Sequence, residues 1–190
     1  YYCTESSEHN AEYNPWFIKS RYPEMIEEFN IPLDEYPRRC INQIKGWEKE
    51  REDILKDGKI THERSREYAS YIMEAVVTNQ PYKIGGNVRN DGYIENLPSD
   101  ACVEVPCYID GTGVHPTKVG KLPAHLAAMN ASNIGVQLMT IEAAVTRDRK
   151  KIYQAAMLDP HTAAELNIHD IISLCDELIA AHGDYMKDYK

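Results

Sequence analysis

Two polar stretches of the sequence carry side chains that could bind a ligand or take part in catalysis. In the first, Glu5, Glu8 and His9 can share one face of a helix. A Glu/His cluster of this kind can bind a metal ion or transfer protons. The same segment also fits a simpler structure, in which a hydroxyl side chain among residues 4–7 caps a helix above a solvated acidic turn. The spacing alone leaves both interpretations open.

The second stretch, residues 87–106, is polar at first and then becomes an apolar strand. Asn87, Arg89, Asn90 and Asp91 crowd hydrogen-bonding side chains into a few positions before a glycine. A polar loop between packed elements is where proteins often bind a polar ligand. A solvated connector is the alternative, and Arg89 could equally be an ion-pair partner for a neighbouring carboxylate.

The composition narrows the class of protein. The chain has 190 residues, 43% of them hydrophobic and 27% charged, which indicates one globular domain with a core of its own. The net charge of −9, without any basic block, argues against a nucleic-acid partner. No apolar run reaches the roughly 20 residues of a membrane-spanning helix, so no membrane partner is expected.

The five cysteines, at positions 3, 40, 102, 107 and 175, are scattered and odd in number. They form no C-x-x-C pair, so the sequence suggests neither a zinc ribbon nor a thioredoxin-like site. A reducing cytoplasm is the expected location.

Hydrophobic periodicity predicts a mostly helical chain around a small sheet. The helices are expected at about 23–29, 37–55, 62–79, from 123 to beyond 152 with a break near 132–133, and 169–186. Strands are expected at 82–88 and 101–109, followed by a hairpin partner within 114–120. The predicted fold class is therefore α+β, with a small, mainly antiparallel or mixed sheet.

Three details of this prediction can be checked directly. Apolar residues recur at helical spacing within 41–55, which predicts a helix, and those within 68–76 are predicted to form an inward stripe. Pro106 within the second strand predicts a sheet edge or a bulge. The sequence around residues 159–162, DPHT, predicts a break between helices.

The familiar catalytic and nucleotide-binding signatures are missing from these residues. The sequence contains no G-x-S-x-G, H-E-x-x-H, P-loop or G-x-G-x-x-G motif. The glycine pair Gly85–Gly86 does not open a predicted helix, so it is not expected to hold a phosphate.

Several longer motifs resemble the α-galactosidase branch of glycoside hydrolase family 4. They are YYCTESSEH and EYNPWFIK within residues 1–19, IPLDEYPRRC at 31–40, the whole of 87–106, and DPHTAA at 159–164. The resemblance implies a lactate/malate dehydrogenase-like C-terminal domain spanning residues 1–190. It also implies that an NAD-binding Rossmann domain, and the metal ligands, lie upstream of Tyr1. The chain is therefore expected to be a C-terminal fragment that is inactive alone.

The resemblance implies an unusual glycosidase chemistry, which departs from the usual pair of carboxylates. Enzymes of this family use NAD and a divalent metal ion, usually manganese. The expected sequence is oxidation at carbon 3 of the sugar, removal of the carbon 2 proton, and elimination of the leaving group. The most similar branch hydrolyses α-galactosides, and an α-glucosidase or α-galacturonidase is the alternative within the family.

Site residues near the start of the chain follow from the same resemblance. Tyr2, or else Tyr1, is the candidate base for the carbon 2 proton. An ordinary tyrosine has a pKa near ~10, so it would need a neighbouring cation to act near neutral pH. Glu5, Ser6 and His9 are the candidates for lining the sugar site.

Further along the chain, Asn87, Arg89 and Asn90 are expected to approach the sugar or the nucleotide. Glu104 lies on the strand beside them, and it is expected to order that loop. Metal ligands are not assigned to any residue of this chain.

Two other classes of protein are alternatives to a family 4 glycosidase. A non-catalytic helical interaction domain would not require long specific motifs in loops. A lactate- or malate-type dehydrogenase would require a catalytic histidine and a substrate-binding arginine in an arrangement that the sequence does not show. The expected partners are a small α-glycoside, the N-terminal half of the same enzyme and further copies in a homo-oligomer.

Overall fold

The computed structural model describes residues 7–57 and 63–190, with side chains described from residue 10 to 56 and from 63 onward. The elements in chain order are α1 (Ser7–Glu12), α2 (Glu24–Glu28), α3 (Glu35–Asp57), α4 (Ala69–Thr78), β1 (Tyr82–Arg89), β2 (Cys102–Asp110), β3 (Gly113–Pro116), α5 (Ala124–Thr146), α6 (Arg149–Leu158), α7 (Pro160–Glu165), α8 (Ile168–His182) and a 3-10 helix (Gly183–Met186).

The three strands form one antiparallel sheet in the order β1–β2–β3. The first two strands lie within one residue of their predicted bounds, the third ends at Pro116, earlier than predicted, and the α+β prediction is confirmed. Along β2, buried and exposed residues alternate, because successive side chains point to opposite faces of a sheet. The sheet therefore has one face towards the core and one face towards solvent.

The core lies between the inner face of the sheet and α5. Val103, Val105 and Cys107 of β2 are buried together with Ile94 and with Ile134 of α5. Burial of this cluster stabilises the domain by roughly 25 cal/mol per Å² of apolar surface removed from water. It also fixes where α5 lies relative to the start of β2.

Pro106 lies in the central strand of the sheet, where the sequence predicted an edge or a bulge. Its carbonyl oxygen accepts a hydrogen bond from the Thr117 amide at 2.9 Å, on the β3 side. Because both backbone groups of a strand residue point the same way, the missing N–H also faces that side. β3 is paired with β2 only from Cys107 to Asp110. Pro106 therefore removes no ladder hydrogen bond, although the strand as a whole is central.

The apolar stripe of α3 does not face a core in the described structure. Ile44 and Trp47 are each 61% exposed and Leu55 is 72% exposed. Within the described residues, α3 makes no extensive contact with another helix or strand. The periodicity correctly predicted the helix, and its apolar stripe is exposed within the described residues.

α4 begins at Ala69, seven residues later than predicted. Side-chain contacts hold residue 64 beside α4 and outside the helix. The Arg64 guanidinium lies 3.6 Å from the centre of the Tyr71 ring and pairs with Glu74 at 2.6 Å. Of the predicted inward stripe, Ala75 is buried, while Tyr68 remains 51% exposed.

The long helical region after residue 123 is interrupted at a different place from the one predicted. α5 continues through Ser132 and Asn133, because their side chains bond to the carbonyl oxygen of Met129 within the helix. It ends at Arg147, which has a left-handed φ of 58°. The predicted break near 159–162 is confirmed at Asp159, whose carboxylate accepts from the Thr162 amide and caps α7.

Within the described parts of the chain, we find no helix that combines the length and the apolar composition needed to cross a membrane.

Candidate functional site

An open cleft of about 650 Å³ lies between α1, the start of β2 and α5. Its floor is apolar and consists of Ile94, Leu97, Val103, Leu122, Leu126, Met129 and Ile134. Its polar lining consists of Asn10, Cys102, Glu104, Asn130, Asn133 and Gln137. A small number of polar groups above an apolar surface is the usual make-up of a small-molecule site.

The cleft is open because β3 is short. β3 covers the edge of β2 only from Cys107 to Asp110, so the same edge has no strand partner over residues 102–104. The backbone N–H and C=O groups of alternate strand residues point to the same side. Those of Cys102 and Glu104 therefore point to the β3 side, as the carbonyl group of Pro106 does. The unpaired edge adds backbone donors and acceptors to one wall of the cleft.

Carboxamides supply most of the polar side chains of the cleft. Asn130, Asn133 and Gln137 are spaced three and four residues apart, which places them along one face of α5. Asn130 Nδ2 donates to its own helix at the Leu126 carbonyl, 2.8 Å away. An amide side chain offers both donors and an acceptor, so this wall can donate hydrogen bonds to hydroxyl groups and accept hydrogen bonds from them.

Hydrogen bonds hold α1 against this wall. Asn133 Nδ2 donates to the Tyr13 carbonyl oxygen at 3.3 Å, linking α5 to the chain just after α1. The buried Asn14 donates to the carbonyl oxygen and to the Oδ1 of Asn10, each at 2.8 Å. These bonds fix the place of Asn10 at the mouth of the cleft.

Glu104 is the one charged residue among the described residues that line the cleft, and it lies at the uncovered edge of β2. It lies on the solvent-exposed face of β2, and its carboxylate reaches over Gly85 of β1. A Cβ atom on Gly85 would lie 2.6 Å from Glu104 Oε1, so the glycine leaves the space that the carboxylate occupies. No lysine, arginine or histidine lines the described part of the cleft.

Asn90, predicted as a ligand contact, is fully buried and has a structural role. Its Nδ2 donates to the carbonyl oxygens of Ile94, Leu97 and Pro98 at 2.9–3.0 Å. Its Oδ1 accepts from the Ile94 amide at 2.7 Å. The amide side chain is occupied by the loop itself, because it closes the turn that brings Ile94 and Leu97 to the cleft floor.

The other two predicted residues of this stretch lie on the exposed face of β1 and do not line the cleft. Asn87 is paired in register with Glu104. Arg89 Nε lies 3.1 Å from Asp91 Oδ1, and both side chains are more than half exposed. The ion pair is the alternative that the sequence had left open for Arg89.

The remaining predicted site residues are in the first part of the chain. Tyr1, Tyr2, Glu5 and Ser6 lie outside the described residues, as does the side chain of His9. Asn10, which follows them directly in the chain, lines the cleft.

Sequence reasoning missed the carboxamides of α5 and the position of Glu104 in the cleft. A signal existed for both: Asn130, Asn133 and Gln137 are polar residues at helical spacing in an otherwise apolar segment, and Glu104 interrupts an apolar strand. Their convergence could not be read from the sequence, because it depends on how α5 crosses the sheet.

A second polar cluster, at the turn between β2 and β3, resembles a catalytic triad only in composition. Asp110 Oδ1 and Thr112 Oγ1 both lie near the same nitrogen of His115, Nε2, at 3.2 and 2.9 Å. The Thr112 hydroxyl also donates to Asp110 at 2.6 Å. The hydroxyl and amide of Thr112, with His115, hold the pKa of Asp110 at about 2. The cluster closes a turn and has no nucleophile–base–acid order.

The described residues do not form a site for a metal ion or a dinucleotide. They contain no group of three or more His, Cys, Asp or Glu side chains that could hold a metal ion. Gly85 and Gly86 lie within β1, and Cβ atoms there would meet Glu104 and Cys107 side chains. The glycine pair permits close packing on the sheet and does not cradle a phosphate.

An open cleft with mainly carboxamide polar groups above an apolar floor is typical of domains that bind small polar ligands. Over residues 1–162 the chain matches the profile of the family 4 glycosyl hydrolase C-terminal domain. The chain belongs to this family, as its motifs predicted.

The curated relatives include α-galactosidases and enzymes of phosphorylated sugars. The chain is 62% identical over 190 residues to the α-galactosidase of Bacillus subtilis, matching all of this chain and 44% of that protein. It is 32% identical over 196 residues to the α-galactosidase of Rhizobium meliloti, covering 99% of this chain and 40% of that protein. A maltose-6'-phosphate glucosidase of Fusobacterium mortiferum is 32% identical over 122 residues, covering 63% of this chain and 27% of that protein. The chain spans less than half the length of these relatives.

Solved structures share the fold. The LplD protein of Bacillus subtilis superposes with a TM-score of 0.77 over 90% of this chain and 38% of its own, at 24% identity. The 6-phospho-β-glucosidase of Thermotoga maritima, solved with manganese, NAD+ and glucose-6-phosphate, gives a TM-score of 0.59 at 25% identity. That match covers 87% of this chain and 40% of the Thermotoga chain.

Proposed function

We propose that this chain is the C-terminal domain of an NAD- and divalent-metal-dependent α-glycosidase that hydrolyses α-galactosides. The observation that carries the proposal is the 62% identity, over all 190 residues, to the α-galactosidase of Bacillus subtilis. The cleft supports it, because carboxamides above an apolar floor suit the hydroxyl groups of an uncharged sugar. The NAD+ and manganese in the Thermotoga structure support the cofactor requirement.

The proposal divides the enzyme into two parts. Residues 1–190 complete the substrate site, and a Rossmann domain in the part that the relatives have beyond this match binds NAD and the metal ion. The length of the curated relatives supports this division, because the chain covers 44% of the Bacillus subtilis α-galactosidase. Bound there, NAD would supply reversible oxidation at carbon 3 of the sugar, and the metal ion would polarise the sugar oxygens.

The residues of this chain bind the sugar and move one proton in this scheme. Tyr2, or else Tyr1, removes the proton from carbon 2, which leads to elimination of the leaving group. Glu5, Ser6 and His9 line the sugar site next to Asn10. The carboxamides of α5 bond to sugar hydroxyls across the cleft, while Asn87 and Arg89 approach the nucleotide side from the exposed face of β1.

Two further features of the proposal concern location and assembly. The described cysteines Cys40, Cys102, Cys107 and Cys175 are free thiols, which supports a reducing compartment such as the cytoplasm. The exposed apolar stripe of α3 supports packing against another part of the enzyme or another subunit of a homo-oligomer.

The enzyme expressed from its whole reading frame should hydrolyse p-nitrophenyl α-galactoside when NAD+, Mn²⁺ and a reducing agent are present. The 190-residue chain alone should show no turnover and no tight NAD binding by calorimetry. Full activity after exhaustive dialysis against a chelator would contradict the metal requirement. Tight NAD binding by the chain alone would contradict the division into two parts.

The assignment of the base can be tested with two neighbouring variants. Tyr2→Phe in the whole enzyme should slow both turnover and exchange of the carbon 2 hydrogen with solvent deuterium by ~10²–10⁴-fold. NAD binding should be unchanged, because only one hydroxyl is lost. Tyr1→Phe is the matched control. A large effect of Tyr1→Phe alone would move the assignment to Tyr1, and no effect of either variant would refute it.

An α-glucosidase is the second candidate, because the α-glucosidase of Erwinia rhapontici is 34% identical over 89 residues. The match is shorter than those to the α-galactosidases. An α-galacturonidase is the remaining alternative within the family. Comparing kcat/KM for the p-nitrophenyl α-glycosides of galactose, glucose and galacturonic acid separates the three activities.

A further inference from the structure

We propose that two copies of this chain associate through the apolar stripe of α3, with the two helices antiparallel about a twofold axis near the middle of the helix. The inference rests on the homo-oligomer of the proposed function, and it names the surface and the geometry of that assembly. The stripe consists of Tyr36, Cys40, Ile41, Ile44, Trp47, Ile54 and Leu55, which recur at the spacing of one helix face.

The stripe is large enough for a specific interface. α3 has 23 residues and is about 35 Å long. Five large side chains of the stripe are each more than half exposed: Tyr36, Ile41, Ile44, Trp47 and Leu55. At about 200 Å² for a fully exposed large side chain, they present roughly 600 Å² in each copy. A symmetric pair would bury about 1,200 Å² from these side chains alone, which reaches the range of specific interfaces.

The charges of α3 match those of a second, antiparallel copy. Residues 35–46 contain one acidic and three basic side chains, a net charge of +2. Residues 47–57 contain five acidic and three basic side chains, a net charge of −2. The helix dipole has the same polarity, positive at the N-terminus and negative at the C-terminus. An antiparallel pair therefore sets each positive half against a negative half, whereas a parallel pair would set like charges side by side.

The spacing of the stripe also favours one register. Steps of four and three residues alternate through Cys40, Ile44, Trp47, Arg51 and Ile54, the pattern of a coiled-coil seam. In an antiparallel pair centred between residues 45 and 46, Ile44 of each copy faces Trp47 of the other. Cys40 then faces Arg51, whose guanidinium can extend to solvent. An axis moved by half a heptad in either direction would leave more than one turn of each helix unpaired.

The first test is the mass of the whole enzyme in solution, measured by size-exclusion chromatography with light scattering. Wild type should be a dimer or an even multiple of one. Ile44→Glu combined with Trp47→Glu places unpaired charges at the centre of the interface, and it should halve the mass at micromolar concentration. Val77→Glu is the matched control, because Val77 is an exposed apolar residue of α4, and it should leave the mass unchanged. A monomeric wild type, or an unchanged mass of the double variant, would overturn the proposal.

Disulfide trapping tests the antiparallel geometry. Arg51→Cys leaves the apolar centre of the stripe intact and places a thiol opposite the free Cys40 of the second copy. Mild oxidation of this variant should link Cys40 to position 51 between two copies, as identified by peptide mass spectrometry. Adding Cys40→Ser should abolish the link. No link in Arg51→Cys, or a link between two copies of Cys40, would overturn the antiparallel arrangement.

These experiments also exclude another occupant of the stripe and stand apart from catalysis. If α3 packs against another part of the same polypeptide, the double variant should unfold at a lower temperature with an unchanged mass, and Arg51→Cys should form no link between copies. That result would overturn the proposal. Hydrolysis of p-nitrophenyl α-galactoside is measured separately. A linked dimer without activity would refute the glycosidase and support the pairing, whereas an active monomer would do the reverse.

Discussion

Replacing Asn90 with alanine should destabilise the domain more than any other change of a single polar residue in the 87–106 stretch. The side chain is completely buried and bonds to three carbonyl oxygens and one amide of its own loop. Asn90→Ala removes all of these bonds and takes away the side-chain partner of the buried Ile94 amide and of the Leu97 carbonyl oxygen. The carbonyl oxygens of Ile94 and Pro98 keep backbone donors, the Leu97 and Ala101 amides. It also leaves a small cavity beside the core residue Ile94.

The size of the effect follows from the hydrogen bonds. Each one contributes about 1 kcal/mol net, and an orphaned buried group costs about 1–3 kcal/mol more. Because some of the orphaned groups can reach water after the loop relaxes, we expect a loss of about 3–5 kcal/mol in the free energy of unfolding. That is a large share of the roughly 5–15 kcal/mol of a typical domain.

Urea unfolding of the chain followed by circular dichroism measures this loss. With a slope of roughly 2 kcal/mol per M, the midpoint should fall by about 1.5–2.5 M. Asn87→Ala is the matched control, since Asn87 lies on the exposed face of β1 and should change stability by less than about 0.5 kcal/mol. Equal midpoints for the two variants would refute the structural role of Asn90.

Three other residues yield predictions from their hydrogen bonds. Thr112 lowers the pKa of Asp110 to about 2, so the stabilisation of the hairpin by this carboxylate should be complete above its ordinary value of 3.8 and be lost as the pH falls through 2. NMR titration of the turn should show this, and Asp110→Asn should abolish it. Glu165 accepts from the backbone and hydroxyl of residue 20; Glu165→Gln should speed hydrogen exchange there severalfold, and unchanged exchange would contradict the contact. Asn133→Ala should release α1 from α5, because its bond to Tyr13 is lost, and raise KM in the whole enzyme; an unchanged KM would argue against the cleft.

The strands and the core were largely predictable from the sequence. Val103, Val105 and Cys107 alternate with exposed residues along β2, and this period of two is a local property that the sequence displays directly. The hairpin into β3 follows from the Asp110–Gly113 turn signal for the same reason. Neither prediction needed knowledge of distant contacts.

Helix packing was less predictable, because periodicity reports an amphipathic surface and not what covers it. The stripe that includes Ile44 and Trp47 has the spacing of a buried face, yet it is exposed in the described structure. The late start of α4 depends on the contacts of Arg64 with Tyr71 and Glu74. Helix propensities describe single residues and do not include such side-chain contacts. Both differences arise from tertiary contacts or from their absence among the described residues.

The candidate site shows why the asparagines in the sequence could not by themselves indicate where a ligand would bind. Asn90 lies in a loop whose carbonyl groups are not used by secondary structure, so its amide is drawn into the turn and becomes fully bonded. On α5 the backbone carbonyls already accept helical bonds, and Asn130 and Asn133 each donate with Nδ2 to the carbonyl four residues earlier, Asn133 also to that of Tyr13. The oxygen of each carboxamide is then directed away from the backbone. A helix therefore leaves the oxygens of its carboxamides available to a ligand, whereas a tight polar loop uses its carboxamides in its own hydrogen bonds. This difference explains why the carboxamides that line the cleft are on α5, while Asn90 does not line it.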